Sequence, residues 1–127
     1  MKSLIGIDIG SLASKVILLR DGKLVDYRVE RSTFDFKRVG NNLFNDLLEK
    51  NNLDKSEVFV MSTGYGRNTI DIADDRITEI SAHARGAQYF FPEAHSVIDI
   101  GGQDSKAIVI SEKTGNVIDF QMNDNYK

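Results

Sequence analysis

The stretch VIDIGGQDSKAIVI, residues 97–110, places a short polar turn between two apolar segments. The first segment contains Asp99, and the turn that follows contains Gly101 and Gly102. Short apolar segments bounded by glycine are typical of β-strands joined by a tight turn. We therefore predict a β-hairpin whose first strand carries a carboxylate near its end.

The same pattern is found near the start of the chain, where GIDIGSLASKVIL spans residues 6–18. When Asp8 is aligned with Asp99, five of the eight residues in DIGSLASK match those in DIGGQDSK. The distance between the copies is too long for a solenoid repeat. It suits two copies of one type of domain that face each other.

Each turn has the chemistry of a phosphate-binding site. Glycine lets the backbone turn tightly and approach a ligand, and successive amide groups form a concave site for an anion. Asp8 and Asp99 are placed to hold a magnesium ion through water. Two such hairpins on opposing domains would enclose the phosphates and metal ion of a nucleotide. The alternative for each copy is a simple hairpin with an Asx-type turn, but the matching repetition favours phosphate binding.

The rest of the chain predicts an α/β protein. A Rossmann dinucleotide site is disfavoured, because a strand and not a helix follows the first glycine turn. Period-2 and short apolar patterns predict strands, and a period of 3.6 predicts two helices, of which the first has Asp35 as its N-cap and the second ends at Pro92. The predicted strands span 4–9, 15–20, 24–30, 57–61, 96–100, 106–111 and 117–122, and the predicted helices span 35–51 and 78–91.

Composition limits the classes of function. The length of 127 residues suits one ordinary domain, and the net charge of −3 with no basic block argues against binding to nucleic acid or to a membrane surface. There is no cysteine, so this chain forms no disulfide and offers no thiolate to a metal. The apolar N-terminal segment is short and interrupted by Asp8, unlike a signal peptide. We predict a soluble, cytoplasmic protein.

Five motifs carry a resemblance to a known family: GIDIGSLASKVIL, STGYGRN, EISAHARGA, VIDIGGQDSK and FQMND. Together they resemble the activator ATPases of 2-hydroxyacyl-CoA dehydratases and benzoyl-CoA reductases (the BadF/BadG/BcrA/BcrD type), within the superfamily of actin, sugar kinases and chaperone ATPases. The resemblance implies a ribonuclease H-like, actin-like ATPase domain with a mixed sheet, an N-terminal antiparallel meander and flanking helices. This domain would span residues 1–93, and residues 94–127 would begin a second such domain with its first three strands.

The resemblance also implies roles for residues of both turns, which would bind ATP or ADP with magnesium. Asp8 and Asp99 would hold the metal through water. The implied phosphate contacts are Gly10, Ser11, Ser14, Lys15, Gly101, Gly102 and Lys106. Gln103 is a candidate to orient the attacking water, and Asp104 is a rival candidate as a general base; the sequence does not separate the two.

Members of this family are homodimers with a bridging [4Fe-4S] cluster, and ATP drives transfer of a single electron to the dehydratase or reductase. In this sequence Tyr126 stands where the first cluster cysteine would align, and a neutral tyrosine does not replace a thiolate in such a site. We therefore expect the 127 residues to be a truncated portion of an activator that is inactive alone. The alternatives are a small-molecule kinase of the same superfamily and a non-enzymatic remnant or interaction module.

Three further expectations concern single features. Arg67 contacts a phosphate or a partner subunit, or is simply a solvated loop residue. His83 is expected to pack on the helix or at an interface in preference to the alternative, a catalytic role. Residues 96–122 form an antiparallel meander whose apolar face packs against the first domain or another chain, or is poorly ordered, because an isolated three-stranded sheet is only marginally stable.

Overall fold

The computed structural model describes residues 3–101 and 104–124. These residues form two compact units, which divide between Ile77 and Thr78. Each unit contains one β-sheet and one α-helix.

The sheet of the first unit is mixed, as predicted. Its strand order is β3-β2-β1-β4-β5. The first three strands form the predicted antiparallel meander, and β4 and β5 continue the sheet with parallel pairing. The strands are β1 (Ser3–Ile9), β2 (Ala13–Arg20), β3 (Lys23–Arg31), β4 (Val58–Thr63) and β5 (Asp75–Arg76).

Helix α1, Phe36–Lys50, connects β3 to β4 and packs on one face of this sheet. The Asp35 side chain accepts a hydrogen bond from the backbone N–H of Arg38, which confirms the predicted cap. A short 3₁₀ turn, Lys55–Glu57, precedes β4. The buried residues between helix and sheet are Ile5, Ile7, Ile9, Val16, Leu18, Val39, Leu43, Phe44, Leu47, Leu48, Val60 and Ile70.

The second unit begins with helix α2, Glu79–Phe90, whose N-cap is Thr78. Three antiparallel strands follow in the order β6-β7-β8, as the predicted meander requires. They are β6 (Ser96–Ile100), β7 (Asp104–Ile110) and β8 (Val117–Asp124). The small core of this unit consists of Ala84, Ile108 and Ile110, with Ile80, Val97 and Val117 packed against it.

Helix α2 covers only one face of the second sheet. On the other face Ile98 and Ile100 are each 78% exposed. Phe120 and Met122 of β8 are also exposed, although they pair with Ile108 and Lys106 of the covered face. Helix α2 lies in the range 1–93 that was predicted for the first domain, but the compact units group it with β6–β8. The expected packing of the meander against the first domain or another chain stays a prediction.

The helices are short. Within residues 3–101 and 104–124, neither helix combines the length and apolar character that crossing a lipid bilayer requires.

Candidate functional site

The two copies of the repeated sequence form the same hairpin. Asp8 lies opposite Lys15 in the β1–β2 pair, and Asp99 lies opposite Lys106 in the β6–β7 pair. In the first turn the Gly10 N–H donates to the carbonyl of Ala13 at 3.1 Å, and in the second the Gly101 N–H donates to the carbonyl of Asp104 at 2.8 Å. The equivalence seen in sequence therefore extends to strand register and to the hydrogen bond that closes the turn.

In the first hairpin the charged pair is open to solvent. Lys15 Nζ lies 3.2 Å from Asp8 Oδ2, with the side chains 46% and 34% exposed. Ser11 is exposed in the turn between the strands. Both predicted ligand side chains and the turn residue are therefore accessible to a phosphate or a hydrated metal ion.

Ser14 lies on the opposite face of β2 from Lys15, because side chains alternate along a strand. It is fully buried, and its hydroxyl lies 2.6 Å from the hydroxyl of Ser32. The Ser32 hydroxyl in turn donates to the Gly10 carbonyl at 2.6 Å. The structure thus places Ser14 in support of the turn rather than on its exposed side.

The STGYGRN loop approaches the end of β1 closely. The Gly66 N–H donates to the carbonyl of Ile9 at 2.9 Å. Gly64 has a φ of +93°, and a Cβ at this position would clash with Asp8 Oδ1 and come within 2.5 Å of the Ile9 carbonyl oxygen. No link between this loop and Asp8 was predicted from the sequence. The available signal was its two glycines, which permit a close approach of backbone.

Arg67 is tied to its own loop. Its guanidinium donates to the Gly64 carbonyl at 3.0 Å, and its carbonyl accepts hydrogen bonds from Ser62 and Arg76. These bonds give Arg67 a role in holding the loop that neither of the two sequence-based alternatives included.

In the second hairpin the lysine is buried among carboxylates. Lys106 has a side chain only 4% exposed, and its Nζ lies 2.7 Å from Asp104 Oδ1, 3.5 Å from Asp99 Oδ2 and 3.7 Å from Glu79 Oε2. Burial alone would lower the pKa of Lys106, but the hydrogen bond to Asp104 and the three negative charges outweigh it and raise the pKa above its ordinary value.

Helix α2 contributes two residues to this cluster. Glu79 approaches Lys106, and His83 Nδ1 lies 3.5 Å from Asp99 Oδ2. That nitrogen is buried and has no hydrogen-bond partner among the residues the structure describes. Sequence reasoning assigned His83 to packing and overlooked Glu79. The available signal was their spacing of four residues, which places both on one helix face.

Two of the predicted site residues of the second turn, Gly102 and Gln103, lie outside the described residues, as does Tyr126. Gly101 is exposed, and Asp104 is bound to Lys106.

No group of three or more His, Asp or Glu side chains suited to a metal ion occurs in residues 3–101 and 104–124. A magnesium ion here would depend on water and ligand oxygens, which is the usual mode for this ion. The exposed carboxylate of Asp8 fits such a role. An iron–sulfur cluster finds no ligand thiolate in this chain, because none of its 127 residues is cysteine.

Comparison with known proteins gives a consistent result. Residues 5–126 match the BadF/BadG/BcrA/BcrD ATPase family. The chain is 42% identical over 122 residues to the (R)-2-hydroxyglutaryl-CoA dehydratase activating ATPase of Acidaminococcus fermentans, which covers 94% of this chain and 46% of that relative.

Solved structures agree. The crystal structure of Acidaminococcus fermentans (R)-2-hydroxyglutaryl-CoA dehydratase component A superimposes with a TM-score of 0.87 at 39% identity, covering 98% of this chain and 48% of the other. The activator of 2-hydroxyisocaproyl-CoA dehydratase from Clostridium difficile, with bound ADPNP, gives 0.84 at 36% identity, covering 97% and 46%. The predicted α/β, actin-like fold class is confirmed. The chain spans about half the length of the curated relatives it matches.

Proposed function

The chain belongs to the BadF/BadG/BcrA/BcrD ATPase family, and we propose that it supplies the phosphate-binding turns of an ATP-hydrolysing activator of a 2-hydroxyacyl-CoA dehydratase or a related reductase. The observation that carries this proposal is the pair of hairpins with one register and one closing hydrogen bond. Two relatives support it: one is named as a dehydratase activating ATPase, and another was solved with an ATP analogue.

Within this proposal the first turn binds phosphate directly. The backbone of the turn at Gly10 and Ser11 faces the phosphate, and the exposed Lys15 ammonium supplies a positive charge. Lys15 releases Asp8 at small cost when phosphate arrives, because an exposed ion pair contributes little stability. Asp8 is then available to the water shell of magnesium.

The second turn contributes Gly101 to the phosphates of the same nucleotide and Asp99 to the magnesium ion. Gln103 and Asp104 remain the candidates to orient or deprotonate the attacking water. The bound nucleotide changes the protein only if it binds one conformation better than another. We propose that this difference controls a single-electron transfer to the partner enzyme in a homodimeric, cytoplasmic activator.

These 127 residues contain no cysteine that could bind the [4Fe-4S] cluster of such activators. The electron-transfer step is therefore proposed for the whole protein, and no residue of this chain is assigned to the cluster.

The test is calorimetric titration of magnesium ADPNP into the full-length protein that carries this sequence. Asp8→Ala and Asp99→Ala should each weaken binding by about tenfold or more, as expected for loss of a charged ligand. Asp46→Ala, an exposed carboxylate on α1, is the matched control and should leave the affinity unchanged. Unchanged affinity in both site variants would refute the assignment of these aspartates.

A further inference from the structure

The two equivalent lysines of the repeat lie in different surroundings. Lys15 and Lys106 occupy the same position in their hairpins, yet their side chains are 46% and 4% exposed. The cause is the face that each helix covers. Helix α1 packs on the face that carries Val16 and Leu18, away from Lys15, whereas α2 packs on the face that carries Lys106, Ile108 and Ile110.

Where β7 packs against α2, carboxylate side chains surround the Lys106 ammonium. Its shortest contact is the hydrogen bond to Asp104, and Asp99 and Glu79 complete a set of three carboxylates within 3.7 Å. An ammonium has three N–H donors and no acceptor. Reaching a phosphate would break the bond to Asp104 and leave three carboxylates without their shared cation, which is costly where they are partly buried.

We propose that Lys106 is a positioning residue, which holds Asp99 and Asp104 in place and ties both to Glu79 at the start of α2, and that only Lys15 of the two lysines binds phosphate. This inference rests on the proposed function for the roles of Asp99 and Asp104. It replaces the phosphate contact that the sequence predicts for Lys106.

The arrangement also connects the second turn to a helix. Glu79 reaches Lys106, and His83, one helical turn later, lies beside Asp99. Asp99 therefore lies beside a side chain of α2, whereas Asp104 is connected to α2 only through Lys106. In the described part of the first unit, the only ion pair of Lys15 is with Asp8 of its own hairpin.

The experiment compares Lys106→Met with Lys15→Met in the full-length protein. Lys15→Met should weaken ADPNP binding about tenfold or more, because a charged hydrogen bond to phosphate is lost. Lys106→Met should weaken the affinity less than Lys15→Met does, because the Asp99 carboxylate is still present, but it should lower kcat for ATP hydrolysis about a hundredfold, as expected when reacting groups are misplaced. A loss of affinity in Lys106→Met equal to that in Lys15→Met, or an unchanged kcat, overturns the proposal.

A second measurement needs no nucleotide. Lys106→Met should lower the folding equilibrium constant of the free protein about a hundredfold, since it removes the cation that three partly buried carboxylates share. Lys15→Met should have little effect, because its ion pair is exposed. If Lys106→Met does not fold, Glu79→Gln supplies the test through kcat and affinity, because Glu79 is 36% exposed and its change is milder.

The link to α2 is tested by combining Lys106→Met with Glu79→Gln. The effect of the double variant on the unfolding equilibrium constant should differ about fivefold from the product of the two single effects, because residues in contact do not act independently. Additive effects overturn the link. A wild-type protein that binds no ADPNP would refute the proposed function instead, and this cycle would still decide whether Lys106 ties α2 to the hairpin.

Discussion

Gly64 offers a sharp test of how the STGYGRN loop supports the first hairpin. Its φ of +93° is unfavourable for residues with a side chain, and an added Cβ would collide with Asp8 Oδ1 and the Ile9 carbonyl. Both neighbours belong to the end of β1, so neither is the free end of a long, flexible side chain. Gly64→Ala should therefore strain the loop and displace the carboxylate at the same time.

The magnitude follows from two contributions. A left-handed conformation costs an L-residue about 1–2 kcal/mol, and overpacking a buried position costs about 1–3 kcal/mol. Gly64→Ala should thus destabilise the first unit by about 2–5 kcal/mol. Gly22→Ala isolates the first contribution, because Gly22 has a φ of +75° but no atom within 4 Å of its added Cβ. This control should cost only about 1–2 kcal/mol.

The assay is urea unfolding followed by circular dichroism, with native-state hydrogen exchange of β1 amides to assign the loss to the first unit. Gly64→Ala should also weaken binding of magnesium ADPNP, whereas Gly22→Ala should not. Equal destabilisation by the two substitutions would show that the loop does not approach Asp8 as described.

Three further changes have definite expected outcomes. Ser32→Ala should cost about 1–3 kcal/mol in urea unfolding, because the buried Ser14 hydroxyl loses its partner. Gly86→Ala should stabilise α2 by about 0.5–1 kcal/mol in the same assay, since its added Cβ meets nothing within 4 Å. The Asn51 hydrogen bond holds the pKa of Asp26 below its ordinary value of 3.8. The stabilisation from this hydrogen bond is fully present above pH 3.8 and is lost as the pH falls through the lower pKa of Asp26 in the folded protein. Asn51→Ala should therefore reduce the loss of stability on acidification in a plot of unfolding free energy against pH.

The repeated hairpins were predictable because their information is local. Asp and Gly at matching positions, with apolar residues on both sides, were sufficient to place both turns and to identify the two hairpins as equivalent. Asp35 and the apolar period after it likewise predicted α1. Strand β5 was not predicted, because its two residues, Asp75 and Arg76, are both charged and show no apolar pattern.

The surroundings of the site residues were not predictable in this way. Lys15 and Lys106 are identical in the aligned sequences, and their difference arises from the face of the hairpin that a helix covers. The same cause explains why Ser14 is buried and not accessible in the turn, since it lies on the face of β2 that α1 covers. An alignment of short motifs contains no information about packing between distant segments, so it assigned the same role to Lys15 and Lys106. The roles of Gly102 and Gln103 remain predictions.

Both turns are proposed to contribute to binding one nucleotide, and a crystal structure of the full-length protein with magnesium ADPNP would show whether they do. We predict phosphate oxygens in contact with Lys15 and with the turn backbone at Gly10 and Gly101, and the magnesium ion within one water layer of Asp8 and Asp99. A nucleotide whose phosphates touch neither turn would contradict the account.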